Sequence, residues 1–148
     1  MNHPWTAHYP AGIPAEINPD TFASIPALFD EVAKTHGNRT AFVCLRKSIS
    51  YKEVNALSTR FAGYLQSLGL EPGDRVAVMM PNLTQYMIAL LGILRAGLIA
   101  VNVNPLYTAH ELAHQLKDSG AKAVVIIENF AKTLETALPE TEVQHIIT

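Results

Sequence analysis

The chain has 148 residues, 49% of them hydrophobic and 16% charged, with a formal net charge of −2. That length buries one substantial core, and that composition excludes a disordered tail. Lys and Arg are scattered singly, which excludes the basic run or stripe of a nucleic-acid or anionic-surface binder.

In chain order, residues 1–23 come first. Pro4, Pro10, Pro14 and Pro19 interrupt them, with Gly12, and no periodicity develops. They read as an extended arm lying over a domain that occupies 24–148. The start has neither a positive n-region nor an apolar h-region, so it does not read as a signal peptide. Ser24 then caps a first helix that accepts Pro26 in its first turn, carries Leu28, Phe29, Val32 and Ala33 as an apolar stripe, and stops at Gly37. Residues 40–45 and 47–50 read as two short strands joined by a turn. Cys44, the single cysteine, sits in the first of them as a small buried hydrophobe; it allows no internal disulfide and suits a reducing compartment.

Ser50 and Glu53 form a capping box for the second helix, in which Val54, Leu57, Phe61, Leu65 and Leu68 recur at helical spacing before Gly69. Pro72-Gly73 is a turn, and residues 75–80 are a buried strand. The third helix is expected from near Asn82, with Gln85 as capping partner, through Leu94 to Gly97; its run from Tyr86 to Leu94 is too short to span a bilayer. Residues 98–103 are the next strand, ended by Asn104-Pro105. Thr108 and Glu111 make another capping box for a helix stopped by Gly120. Residues 123–127 are a strand, Asn129 opens a helix that ends before Pro139, and 143–147 are a last strand. This alternation predicts an α/β fold, doubly wound, with a mainly parallel sheet and helices on both faces. Because the chain stops inside a strand, it is expected to be a partial, truncated subdomain.

The motifs that carry chemistry are few. His110-Glu111-Leu112-Ala113-His114 matches HExxH, in which two histidines one turn apart hold zinc and the glutamate activates its water. Its place in the first turn of a helix, with Glu111 already in a cap, favours a solvated helix face over a zinc peptidase. The eight glycines are dispersed, with no GxGxxG and no GxxxxGK[ST], so no phosphate cradle is evident. Gly-x-Ser-x-Gly is also missing. His3, His8, His36 and His145 read as surface residues. Asp74 and Arg75 read as turn chemistry beside a surface charge, with a pairing between them as the alternative. The loop from Asn102 to Thr108 has more promise, because it leaves the carboxyl end of a parallel strand and opens a helix, where open α/β sheets collect ligands. Asn102, Asn104 and Tyr107 supply its polar groups.

Several segments together carry a family likeness. Ser48-Ile49-Ser50-Tyr51-Lys52-Glu53-Val54 and Gly73-Asp74-Arg75-Val76-Ala77 through Pro81-Asn82 resemble the start of the AMP-forming acyl-CoA synthetases. Tyr9-Pro10-Ala11-Gly12-Ile13-Pro14, Asn104-Pro105-Leu106-Tyr107-Thr108 and Asp118-Ser119-Gly120-Ala121-Lys122 narrow the likeness to the bacterial long-chain fatty acid–CoA ligases. His110 stands where that family usually has arginine, and this difference creates the HExxH. The resemblance implies a parent enzyme that forms an acyl-adenylate from fatty acid and ATP with Mg2+, then a thioester with coenzyme A. It implies no catalytic residue in this segment, no tightly held cofactor, and no activity of the segment alone. It implies a cofactor-binding role for Asn104, Pro105 and Tyr107 near the coenzyme A approach. The expected setting is the cytoplasm, with peripheral association at the inner membrane and a homodimer left open. The alternative to a piece of an enzyme is a non-catalytic binding or dimerisation module.

Overall fold

The computed structural model describes residues 3–148, so the expected arm has its first two positions outside the described residues. Residues 3–24 carry two 3-10 turns, Pro4–His8 and Pro19–Thr21, and none of these residues is buried. The repeated prolines remove donors that a helix or ladder would need.

Helix α1 (Ile25–His36) starts on Ser24, whose hydroxyl accepts the Ala27 N–H. Strands β1 (Thr40–Cys44) and β2 (Lys47–Ser50) form a separate antiparallel hairpin. Its two-residue turn places Leu45 and Arg46 at positive φ, the twist that joins tight hairpins even without glycine. Helix α2 (Tyr51–Ser67) follows directly, on the Ser50–Glu53 capping box.

The main sheet is four-stranded and wholly parallel, in the order β4 (Ile99–Asn102), β3 (Arg75–Met79), β5 (Ala121–Ile126), β6 (His145–Ile147). Alternation along β3 divides the core. Val76 and Val78, with Met80 beyond the strand, pack under α2 and α3 (Thr84–Arg95). Ala77 and Met79 pack under α4 (Ala109–Ser119) and α5 (Ala131–Ala137). The β3–β5 ladder slips by one residue, because Arg75 faces Ala121 while Val76 faces Ala123. The bulge admits Lys122, whose ammonium pairs with Asp74 at 2.7 Å.

The element order matches the sequence reading, and two local expectations are corrected. Helix α3 begins at Thr84 rather than near Asn82, with Leu83 as a cap that supplies no side-chain bond. The Leu83 N–H turns back to Pro81 O at 2.7 Å, and Asn82 O accepts the Cys44 thiol at 3.7 Å, so residues 81–83 are a tight turn. Gly37 stops α1 as expected, in right-handed geometry, φ −49°, and its carbonyl accepts the Lys52 N–H. Asn129 lies inside a 3-10 turn, Glu128–Phe130, and α5 starts only at Ala131. Gly120 does take the left-handed conformation expected of a helix stop.

Candidate functional site

The chain reverses its direction of winding between β3 and β5. From β3 it crosses α3 to β4 on one side; from β5 it crosses α5 to β6 on the other. The α3 and α5 crossovers pack on opposite faces, which opens a crevice outside the carboxyl ends of the two central strands. A cleft of about 590 Å³ lies there, walled by Met80, Ile88, Ile127 and Ile147, with Gln85 and Glu128 as polar lining. Among the described residues Glu128 is its one charged side chain, so the lining is mostly apolar and offers no cation to a triphosphate. Sequence reading missed this cleft, because its walls come from α2, α3, β5 and β6 and no local motif marks them.

One strand over, the loop from Asn102 to Thr108 lies at the carboxyl end of β4. Asn104 Oδ1 accepts the Leu106 N–H at 3.0 Å, and Asn104 O accepts the Tyr107 N–H at 3.1 Å. This Asx turn closes the loop on itself. Leu106 is 83% exposed at its tip, Pro105 is half-buried, and the Tyr107 ring packs on the core beneath α4 and α5. The loop therefore brings Asn104, Pro105 and Tyr107 together, with the Asn104 carboxamide oxygen already holding the turn.

Asn102 is bound from both sides. Tyr86 Oη donates to its Oδ1 at 2.6 Å from α3, and Gln115 Nε2 donates to its carbonyl at 3.0 Å from α4. Gln115 Oε1 is buried and accepts no hydrogen bond from the described residues.

The HExxH glutamate has another task. Glu111 Oε2 accepts the Thr108 N–H and hydroxyl, each at 2.8 Å, and the backbone bond chiefly holds its carboxyl below the usual range. His110 and His114 are both exposed. Among the described residues no group of three or more His, Cys, Asp or Glu could hold a metal ion.

Asp74 does not pair with Arg75. Lys122 and the Glu71 N–H hold its carboxylate, and both lower its pKa, the Lys122 hydrogen bond most. Glu53 is lowered in the same way by Ser50. A carboxyl whose folded pKa lies below its unfolded value adds stability in full above the unfolded pKa, and loses it as pH falls through the folded one. The urea midpoint is therefore expected to fall as pH drops below about 5, with Asp74→Asn flattening that acid limb; an unchanged limb in the variant would remove Asp74 from the account.

Residues 29–148 match the profile of the family described as AMP-binding enzyme. The chain is 53% identical over 148 residues to a long-chain-fatty-acid–CoA ligase of Salmonella typhimurium, covering 99% of this chain and 26% of that protein. It is 51% identical to the corresponding ligase of Yersinia pestis, with the same coverage. Among solved structures, a long-chain-fatty-acid-CoA ligase from Archaeoglobus fulgidus superposes with a TM-score of 0.83 at 25% identity, over 93% of this chain and 29% of that one. The chain thus spans about a quarter of the length of the curated relatives it matches.

Proposed function

The chain belongs to the AMP-binding enzyme family, and from that premise we propose that it supplies the N-terminal part of a long-chain fatty acid–CoA ligase. The observation that carries the reading is the identity of 53% along essentially the whole chain to a ligase of that kind. In this reading residues 1–23 are an arm and 24–148 are the first layer of the adenylating domain.

The reaction has two steps. The fatty acid carboxylate attacks the α-phosphorus of ATP, releasing pyrophosphate and leaving an acyl-adenylate. The thiol of coenzyme A then attacks the acyl carbonyl, and AMP departs with the C–O electron pair. We assign adenylation to the three quarters of such a ligase that this chain does not match. The dispersed glycines and a switch-point cleft lined by no cation among the described residues support this division of labour. What the segment supplies is a rigid parallel layer and the 104–108 loop. We assign Asn104, Pro105 and Tyr107 to the coenzyme A approach, where the exposed tip at Leu106 offers an apolar contact and no charge. No helix among the described residues is long and apolar enough to cross a membrane, and contact with the inner membrane face is peripheral in this cytoplasmic reading.

The test is a chimera in which this segment replaces the matching quarter of the Salmonella typhimurium ligase. Palmitoyl-CoA is expected from palmitate, ATP, Mg2+ and coenzyme A, and none from the 148-residue chain alone. A folded but inactive chimera, or turnover by the segment by itself, would overturn the assignment.

A further inference from the structure

We propose that Tyr86 and Gln115 are positioning residues, which act through Asn102 to set the 104–108 loop for thioester formation; this rests on the reading that the loop borders the coenzyme A approach. The loop's own hydrogen bonds are local. Asn104 holds Leu106 and Tyr107, and Thr108 exchanges bonds with Glu111. It is thus a pre-formed unit whose attitude to the sheet is fixed where it leaves β4. Val103 N–H makes the last ladder bond there, to Val78 O at 3.0 Å. Asn102 is the residue just before it. Tyr86 reaches it from the α3 face and Gln115 from the α4 face, so the two helical layers grip the edge strand at one point.

Gln115 also fits poorly with a purely structural role. Its inward neighbours on α4 are Leu112, Ala113 and Leu116, all buried in the core, and its Oε1 is buried without a partner among the described residues. An apolar side chain of the same length would satisfy the fold better. What the amide adds is the bond to Asn102.

The experiment uses the chimeric ligase with Tyr86→Phe and Gln115→Met, a near volume-conserving pair of changes. Each is expected to raise KM for coenzyme A by about tenfold, as misplacement of a substrate-positioning group does, while palmitate-dependent ATP–pyrophosphate exchange is unchanged. Gln115→Met is expected to melt no lower than the parent, which separates positioning from structural damage. Asn104→Ala in the same chimera checks the underlying reading. If it raises KM for coenzyme A and the tether variants do not, the tether fails and the loop assignment stands. If none of the three moves it, both fail. Should the chimera be inactive, amide exchange in the 148-residue chain decides: Gln115→Met must speed exchange at Leu106 and Tyr107, and unchanged protection there would overturn the tether.

Discussion

Gly92→Val is expected to cost about 3 kcal/mol of stability, through overpacking where α3 crosses α2. A Cβ at Gly92 would stand 2.6 Å from Phe61 Cδ1, 3.1 Å from Phe61 Cβ and 3.1 Å from Ser58 O. Phe61 Cδ1 lies near the root of its ring and clears only if the ring turns about its Cβ–Cγ bond. The Phe61 Cβ and the Ser58 carbonyl are fixed by the α2 backbone and can yield only if the helices separate. Alanine at this position recovers about 1 kcal/mol of helix propensity, which partly offsets the contact. Valine adds two γ-methyl groups to the same gap and has a poorer helix propensity than alanine. Gly63 is the internal control. It lies within α2, exposed, and a Cβ there meets nothing within 4 Å. Gly63→Ala is therefore expected to stabilise by about 0.5–1 kcal/mol. Urea midpoints of both variants test the contrast, and a Gly92→Val protein as stable as the parent would mean the helices do not approach as described.

Gly92 also marks a limit of sequence reading. It falls inside the apolar run from Tyr86 to Leu94, and nothing in that run says which helix it meets. Of the periodic apolar positions, Val54 and Leu65 in α2 reach zero exposure while Leu28 in the α1 stripe stays 40% exposed, and the capping boxes at Ser50 and Thr108 form as their spacing demands. Those signals are local, so they survive without tertiary knowledge. Asn82 misled because its residue type is a good cap; the turn back to Pro81 and the Cys44 thiol claim that stretch first. Gly37 does stop α1, but in right-handed geometry, where a Cβ would stand 2.6 Å from the Ala33 carbonyl oxygen.

The candidate site was legible in the same uneven way. The 102–108 loop announced itself through Asn104-Pro105 and the capping box that follows. The partners of Asn102, by contrast, are 16 and 13 residues away on two different helices, and no spacing rule connects them. The switch-point cleft needed the strand order β4-β3-β5-β6, which is a property of crossovers and not of any segment.

Arg95 is the clearest residue that sequence alone undervalued: it reads as the charge that ends an apolar helix, yet its side chain is only 13% exposed. Its Nε donates to Ser58 Oγ at 3.1 Å, its Nη2 to Asn55 Oδ1 at 2.5 Å, and both terminal nitrogens to Asp30, at 3.2 and 2.7 Å. One guanidinium thus joins α1, α2 and α3, with its planar fork matched to the Asp30 carboxylate. Which bonds carry the energy follows from exposure. Asp30 is 51% exposed and recovers water when the pair is broken, so its share is under about 1 kcal/mol. Ser58 is fully buried, and Asn55 is half-buried beside it. Stripping a charged donor from those two acceptors costs about 2 kcal/mol in all. Arg95→Met, which keeps the apolar stem, is expected to lose that amount, and the loss is expected to persist in 1 M NaCl, about the concentration at which surface pairs are screened. A double-mutant cycle should find stronger coupling of Arg95 to Ser58→Ala than to Asp30→Asn. If salt abolishes the loss, or if the Asp30 cycle carries most of it, the surface ion pair and not the buried polar junction holds the three helices together.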